Sequence, residues 1–303
     1  MNIEALAKLY LHLFESNLEL DEANIDTNKL YFHGSENGNI KRLYAPTPEK
    51  PLFVTADIDY ANEYLQAAHP NGHAKFDENE SPGKVYLIDL DFDDIKMFDA
   101  RVKEDKEKLV SHWPPYILDQ LSEKDYSIWS VFRYLVPTLK RFYVDFNRNF
   151  QTFSDDINAD NRFEDEMGKD VLLDGIKFIN QKYGNKILAL FNANKPDEDP
   201  EFDNVLFGII AIFNNTLVKE NFNAFRNTET LKAGKLRQAE IKTTTAIGIM
   251  DKECIKDFCP KPLNTELVKQ AIEDLKSDGD LRNYTKSNQT LIDKVVDKVE
   301  GNN

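Results

Sequence analysis

The segment Lys84–Phe92, "KVYLIDLDF", places the strongest constraint on the fold. Both sides of the chain carry apolar residues here: Val85 and Leu87 on one side, and Tyr86 and Ile88 on the other. A short apolar run of this kind, which follows a polar, turn-rich stretch, is typical of a strand that is covered on both faces. The sequence therefore predicts a largely buried strand at this position.

Further strands are predicted on either side of a helical middle. "KLYFHG" and "PLFVTA" read as short strands, and "EIKTTTAIGIMDKECI" reads as a late strand. From Val102 onward the apolar residues recur at spacings of three and four, which indicates helices. Within that region we expect Pro137 to kink or end a helix and Tyr183-Gly184-Asn185 to form a helix C-cap. The segment "NVLFGIIAIFNNTLVKENFNAF" fits either a buried helix or a pair of strands.

The sequence accordingly predicts an α+β protein with four parts. Residues 1–100 contain an N-terminal helix, from about Ile3 to Leu18, and the first strands, with a helix from Ile58 to about Ala68. Residues 101–200 form a helical insertion, residues 201–262 return to the sheet, and residues 263–303 form a helical C-terminal tail.

The charge of the chain limits the choice of partner. Its 303 residues are 41% hydrophobic, enough for a large core, but the net charge is −15. An acidic surface repels phosphate backbones, so a protein or a small molecule is the expected partner and nucleic acid is not. We find no membrane-spanning apolar run and no secretion signal in "MNIEALAKLYLHLFE", and we expect a cytoplasmic protein, of its own cell or of a host, with two reduced thiols, Cys254 and Cys259.

Three segments in order, "YFHGS", "LFVTADIDYANEYL" and "GKVYLIDLDF", resemble the first half of the ADP-ribosyltransferase superfamily, which includes the poly(ADP-ribose) polymerases and diphtheria-type toxins. The resemblance covers Leu30 to Phe92, about a fifth of the chain. It implies a split β-sheet core, interrupted here by the helical insertion, with NAD as the co-substrate. No P-loop and no dinucleotide fingerprint is present.

The resemblance also implies roles for five residues. His33 would hydrogen-bond the adenosine-side ribose of NAD, and the backbone of Gly34 would hydrogen-bond the nicotinamide carboxamide, with Ser35 completing the motif. Tyr64 would stack on the nicotinamide ring. Phe53 falls where the family often has a tyrosine, so the ring is kept and the hydroxyl is absent.

The third motif of the family is a glutamate at or just before a late strand, which stabilises the positive charge that develops as the glycosidic bond breaks. Glu240, five residues before Thr245, is our candidate. A direct overlay of "TAIGIMD" on the family's last strand places Thr245 itself nearer that position, and Glu229 in "NTETL" is a third candidate.

Other residue patterns favour no metal site. His69 and His73 are separated by Pro and Gly, so they cannot share a helical face as metal ligands do. The acidic run Asp197–Asp203 lacks the glycine and the final glutamate of a calcium loop. Cys254 and Cys259 have no histidine nearby in the sequence to activate a thiolate.

The expected function is mono-ADP-ribosyl transfer from NAD to a macromolecule, most simply a protein. Two alternatives stay open. In the first, Thr245 stands in place of the carboxylate and the chain binds NAD without transferring ADP-ribose. In the second, the chain is a non-enzymatic acidic interaction or inhibitor protein of a phage or of a bacterial effector set.

Overall fold

The computed structural model describes most of the chain from residue 30 to residue 258, in eight segments: 30–35, 40–58, 60–61, 84–122, 127–160, 168–194, 199–232 and 241–258. The helix expected over Ile3–Leu18 and the C-terminal helices lie outside these residues. The chain divides into two compact units. The first contains the described residues up to Thr47, from Pro51 to Met97 and from Asn223 onward; the second contains Pro48–Lys50 and Phe98–Phe222.

The first unit is built on a seven-stranded sheet. The strands are β1 (Tyr31–Ser35), β2 (Leu52–Thr55), β3 (Lys84–Leu90), β4 (Met97–Phe98), β5 (Ala224–Lys232), β6 (Ile241–Ile249) and β7 (Ile255–Phe258). Their order in the sheet is β4-β5-β6-β2-β1-β3-β7. The pairs β1–β2, β1–β3, β2–β6, β3–β7 and β5–β6 are all antiparallel. Strands from the two ends of the described chain therefore lie side by side in one sheet.

Strand β3 confirms the prediction made from its apolar pattern. It lies between β1 and β7, and its side chains from Val85 to Leu90 are all buried. Tyr31 on β1 pairs with Ile88, and Ser35 pairs with Lys84, so β1 follows β3 along its whole length. One face of the sheet carries an apolar cluster formed by Tyr31, Leu52, Val54, Ile88, Leu90, Ala224, Ile247, Ile249 and Cys254.

The second unit is helical. It contains α1 (Lys103–Leu109), α2 (Pro115–Ser122), α3 (Ile128–Lys140), a π-helical turn (Arg141–Asp145), α4 (Phe150–Ala159), α5 (Lys169–Asn194) and α6 (Asp199–Lys219). Trp113 is fully buried at its centre, with ring centroids of Phe132, Tyr183 and Phe213 at 5.2, 5.1 and 5.5 Å. Rings of this size supply most of the apolar area that holds such a bundle together. Of the segment that fitted either a helix or two strands, residues 204–219 belong to α6, and its last two residues, Ala224 and Phe225, begin β5.

The expected C-cap at Tyr183-Gly184-Asn185 is wrong, because α5 continues through it to Asn194. Gly184 serves close packing: a Cβ there would lie 2.7 Å from the Asn180 Oδ1 and 3.1 Å from an Arg148 guanidinium nitrogen. Helix α3 also continues past Pro137 to Lys140. In the π-helical turn that follows, the hydrogen bonding widens to five residues, and the Phe146 N–H donates to the Arg141 carbonyl at 2.9 Å.

The predicted α+β class is confirmed, since strands and helices occupy separate stretches of the sequence. Within the described residues, no helix is both long and apolar enough to cross a membrane.

Candidate functional site

The His-Gly-Ser motif lies on β1, between the strands on which the resemblance places its other early motifs. Strand β1 pairs with β2 through Phe32 and Thr55 and with β3 along its whole length. Gly34 pairs with Val85 on β3 and lies beyond the Phe32–Thr55 pair with β2. The motif is therefore on an interior strand, and its backbone is paired with β3 at each of the three residues.

The His33 ring is held by a backbone hydrogen bond. Its Nδ1 lies 2.8 Å from the carbonyl oxygen of Phe53. A carbonyl only accepts, so Nδ1 carries the hydrogen and donates, which leaves Nε2 as the acceptor nitrogen of the neutral ring. The next strand thus sets both the tautomer of His33 and the orientation of its ring.

Burial also fixes the charge of His33. Desolvation lowers the pKa of His33 from its ordinary value of 6.5, and the hydrogen bond to the Phe53 carbonyl opposes this with a smaller effect. The side chain is therefore neutral at pH 7. A neutral imidazole with its acceptor nitrogen exposed to a ligand can receive a hydrogen bond from a sugar hydroxyl.

The His33 ring bonds to the backbone carbonyl of Phe53, but the side chains of His33 and Phe53 lie on opposite faces of the sheet. Successive strand residues alternate between faces, and Val54 belongs to the apolar cluster on the Tyr31 face, which is the face of His33. The Phe53 ring lies on the other face and packs edge-on against Phe225 at a centroid distance of 5.8 Å.

Thr55 ties the end of β2 to β6. Its hydroxyl donates to the carbonyl of Thr245 at 3.0 Å and accepts from the Asp57 N–H at 3.1 Å. The Asp57 carboxylate in turn accepts from the Tyr60 N–H at 3.0 Å, at the start of the helical residues that follow β2. Sequence analysis gave Thr55 no role beyond its place in the strand, yet this buried hydroxyl fixes the position of Thr245.

The structure describes only part of the third-motif region. Glu240 and Tyr64 lie outside the described residues, as does the side chain of Glu229, whose backbone pairs with Thr244. Thr245 is described and is partly buried. Its hydroxyl accepts a hydrogen bond from Arg226 Nη2 at 3.3 Å.

Arg226 is a second residue of the candidate site to which the sequence analysis gave no role. Arg226 pairs with Ile247 across β5–β6, and Ile247 pairs with Val54 across β6–β2. The Phe32–Thr55 pair sets His33 opposite Val54, so the four residues form one row on one face of the sheet. The signal available in the sequence was a charged residue, Arg226, that is followed directly by the polar residues Asn227 and Thr228. These polar residues obscured β5 itself as well.

Among the side chains that the structure describes, no group of three or more His, Cys, Asp or Glu residues is arranged to hold a metal ion. The histidines at 69 and 73 lie outside the described residues.

No protein-family model, no curated protein and no solved structure matches this chain. The arrangement of its own residues is therefore the basis for a functional proposal.

Proposed function

We propose that this protein is a mono-ADP-ribosyltransferase that uses NAD to modify a macromolecule, most simply a protein. The observation that carries the proposal is the adjacency of the motif-bearing strands. Strand β2 pairs with β1 on one side and with β6 on the other, and Thr55 bonds to Thr245 across the second pair. Motifs that are far apart in the sequence thereby lie on adjacent strands, and this adjacency supports the proposal of an ADP-ribosyltransferase-like split sheet.

The proposed chemistry breaks the bond between nicotinamide and its ribose. The bonding electron pair goes to the nicotinamide ring, which leaves as a neutral molecule, and the ribose becomes an oxocarbenium-like centre. An acceptor oxygen or nitrogen then forms the new bond to that carbon and loses its proton. A carboxylate near the developing positive charge lowers the barrier, and Glu240 is the candidate for it.

The described residues of the proposed NAD site have separate tasks. His33 accepts a hydrogen bond from the adenosine-side ribose through Nε2, with its tautomer fixed by the Phe53 carbonyl. Gly34 lacks a Cβ, so a flat carboxamide can approach its backbone. Thr55 holds the start of the last motif against β2.

A second candidate function is NAD binding without transfer. Thr245 and Arg226 present a hydroxyl and a guanidinium at the position that the direct overlay gives to the catalytic glutamate. A guanidinium carries a fixed positive charge, which opposes the positive charge of the transition state. This observation favours the binding module if Thr245 and not Glu240 occupies the third-motif position.

The deciding experiment measures nicotinamide release from NAD by the purified protein, alone and with added cell lysate. The variants are Glu240→Gln, Glu229→Gln and Tyr64→Ala, with Glu253→Gln as a matched control on the exposed side chain beside Lys252. Removal of one group that stabilises the charge of a transition state typically lowers the rate about 100- to 1,000-fold, and we expect a loss of that order in nicotinamide release for Glu240→Gln. The control is expected to match the wild type.

Three outcomes separate the alternatives. Release that requires Glu240 and Tyr64 and rises with lysate supports the transferase. A thermal shift with NAD that requires Tyr64, without release, supports the binding module. Neither release nor a shift refutes both and favours an acidic interaction protein.

A further inference from the structure

Strand β5 directs part of its backbone away from β6. In an antiparallel pair, residues that bond to the partner strand alternate with residues whose N–H and C=O point to the opposite side. The Met250 N–H donates to the Asn223 carbonyl at 2.9 Å, so these two residues are a bonded pair in the register of β5 and β6. Every second residue that follows therefore points its backbone groups away from β6. Three residues of this series are Thr228, Thr230 and Lys232.

The neighbour on that side, β4, reaches only the start of β5. The Ala224 N–H donates to the Lys96 carbonyl at 3.4 Å, which places β4 beside the first residue of β5. Strand β4 has two residues and β5 has nine, so β4 cannot follow β5 to its end. In the eight described segments, no strand pairs with residues 228–232 on this side. We call the backbone of residues 228–232 on this side the outer edge of β5.

The outer edge has the repeat of an extended polypeptide. It presents one N–H and one C=O at every second residue, about 6.8 Å apart along the strand. An extended segment has the same repeat and can bind as an added strand, with main-chain hydrogen bonds as the source of affinity. A second copy of this chain is disfavoured, because each copy carries a net charge of −15 and like charges oppose their association.

The outer edge lies close to the third-motif region. Thr228 pairs directly with Thr245 on β6, and the Thr245 carbonyl accepts from the Thr55 hydroxyl. A strand added beside β5 would lie two strand spacings, or roughly 10 Å, from the backbone of Thr245. A long side chain on such a strand can cover most of that distance.

We propose that the outer edge of β5 binds an extended segment of the acceptor protein as an added strand and so presents its side chains to the NAD site. The identity of the partner as an acceptor rests on the proposed transferase. The binding of the segment itself does not require NAD, so it can be measured separately.

The probe is a displayed library of random nine-residue peptides, selected on the wild-type protein without NAD and then measured by fluorescence anisotropy. Thr228→Pro removes an N–H that points away from β6, so it leaves the hydrogen bonds between β5 and β6 in place. The matched control Thr228→Ala keeps the N–H and removes the hydroxyl. We expect the proline variant to bind a selected peptide about 10- to 100-fold more weakly, because a peptide carbonyl loses its donor. The alanine variant should bind it like the wild type.

N-methylated peptides test the same hydrogen bonds without a change in the protein, and they decide the question even if Thr228→Pro does not fold. Only every second N–H of an added strand faces β5. Methyl groups on one alternate set of residues should therefore abolish binding, and those on the other set should leave it nearly intact. Equal effects of the two sets would overturn the added strand.

Nicotinamide release distinguishes this inference from the proposed function. Lysate that stimulates release by the wild type but not by Thr228→Pro, with equal release in its absence, supports docking of the acceptor at the outer edge. Equal stimulation of both proteins, or peptide binding that Thr228→Pro does not weaken, overturns the docking edge and leaves the NAD site standing. A wild-type dimer that Thr228→Pro dissociates overturns the acceptor in favour of a second copy. Peptide binding that requires the outer edge, without any nicotinamide release, supports a polypeptide site and refutes the transferase.

Discussion

Phe225 on β5 lies directly over Gly248 on β6. A Cβ at position 248 would stand 2.2 Å from the Phe225 Cζ, far inside the contact distance of two carbon atoms. Phe53 on β2 pairs with Gly248 from the other side and meets Phe225 edge-on. Gly248 therefore provides the space in which two rings from neighbouring strands come into contact.

Substitution of Gly248 by alanine should destabilise the first unit. The added methyl must displace the Phe225 ring, and overpacking of this kind costs about 1–3 kcal/mol. Urea unfolding should show the loss in the variant Gly248→Ala. The matched change Gly168→Ala, where a Cβ meets nothing within 4 Å, should stay within about 0.5 kcal/mol of the wild type. If Phe225→Leu did not restore the stability lost in Gly248→Ala, the strain would not come from the Phe225 ring.

The Thr55 hydroxyl should matter to both stability and function. In Thr55→Val the Thr245 carbonyl loses its donor and the Asp57 N–H loses its acceptor. A buried polar group without a partner costs about 1–3 kcal/mol, so we expect a loss in that range or above it by urea unfolding. Nicotinamide release, or NAD binding in a protein without transfer, should fall as well, because Thr245 is no longer fixed. Thr55→Ser keeps the hydroxyl and should retain most of the stability and of the release or binding. If Thr55→Val changed neither quantity, the Thr55 hydroxyl would not be an important link between β2 and β6.

Acid should destabilise the protein through His33. The unfolded chain binds a proton at His33 near pH 6.5, while burial lowers the pKa of His33 in the folded protein. Between these two pKa values the unfolded state binds more protons, so this contribution to the free energy of unfolding is complete above pH 6.5 and is lost as the pH falls below it. Urea unfolding between pH 7.5 and 5 should show a steeper decline for the wild type than for His33→Gln. Parallel curves would mean that His33 titrates alike in both states.

In the second unit, the hydrogen bond between Trp113 and Thr216 should contribute to stability. The indole Nε1–H donates to the Thr216 hydroxyl at 3.0 Å, and both side chains are buried. Thr216→Val keeps the shape and removes the acceptor, which should cost about 1–3 kcal/mol in urea unfolding followed by tryptophan fluorescence. Thr216→Ser preserves the hydroxyl and serves as the control. A Val variant as stable as the Ser variant would show that the indole finds another acceptor.

Cys254 should be unreactive in the folded protein. Burial, with smaller contributions from Asp251, Asp94, Asp91 and Glu253, raises the pKa of the thiol to about 12, so almost no thiolate exists at pH 8. In a Cys259→Ser variant, a thiol reagent should label Cys254 only after denaturation. Rapid labelling under native conditions would contradict the burial of this side chain.

The parts of the fold that sequence reasoning predicted are those with a strong local pattern. Strand β3 has apolar residues on both faces, and β6 has a run of threonines followed by Ala-Ile-Gly-Ile. Strand β5 was not predicted, because Arg226, Asn227 and Thr228 break the apolar alternation. It is held instead by nine backbone pairs with β6, from Ala224–Ile249 to Lys232–Ile241, which no local pattern reveals.

The C-cap predicted at Tyr183-Gly184-Asn185 failed for the opposite reason, since its local signal is strong. Gly184 is a good C-cap residue by local preference, but α5 continues through it, and a Cβ there would crowd the Asn180 side chain one turn earlier in α5 and the Arg148 guanidinium. Long-range contacts also account for the site residues that were missed. The role of Thr55 depends on Thr245, and the placement of Arg226 depends on the β5–β6 register. Neither partner can be identified without the sheet.

The strand order has a consequence for the synthesis of the protein. Strand β2 lies between β1 and β6, and Thr55 on β2 bonds to Thr245, which is 190 residues further along the chain and is synthesised later. At 5–20 residues per second, a ribosome needs about 10–40 s to add that many residues. During this interval the nascent β2 has an open edge on the side that β6 will occupy, and open edges are where chains associate wrongly. The sheet is completed late, so the emerging chain is exposed to chaperones and to aggregation for longer than a protein whose neighbouring strands are also neighbours in sequence.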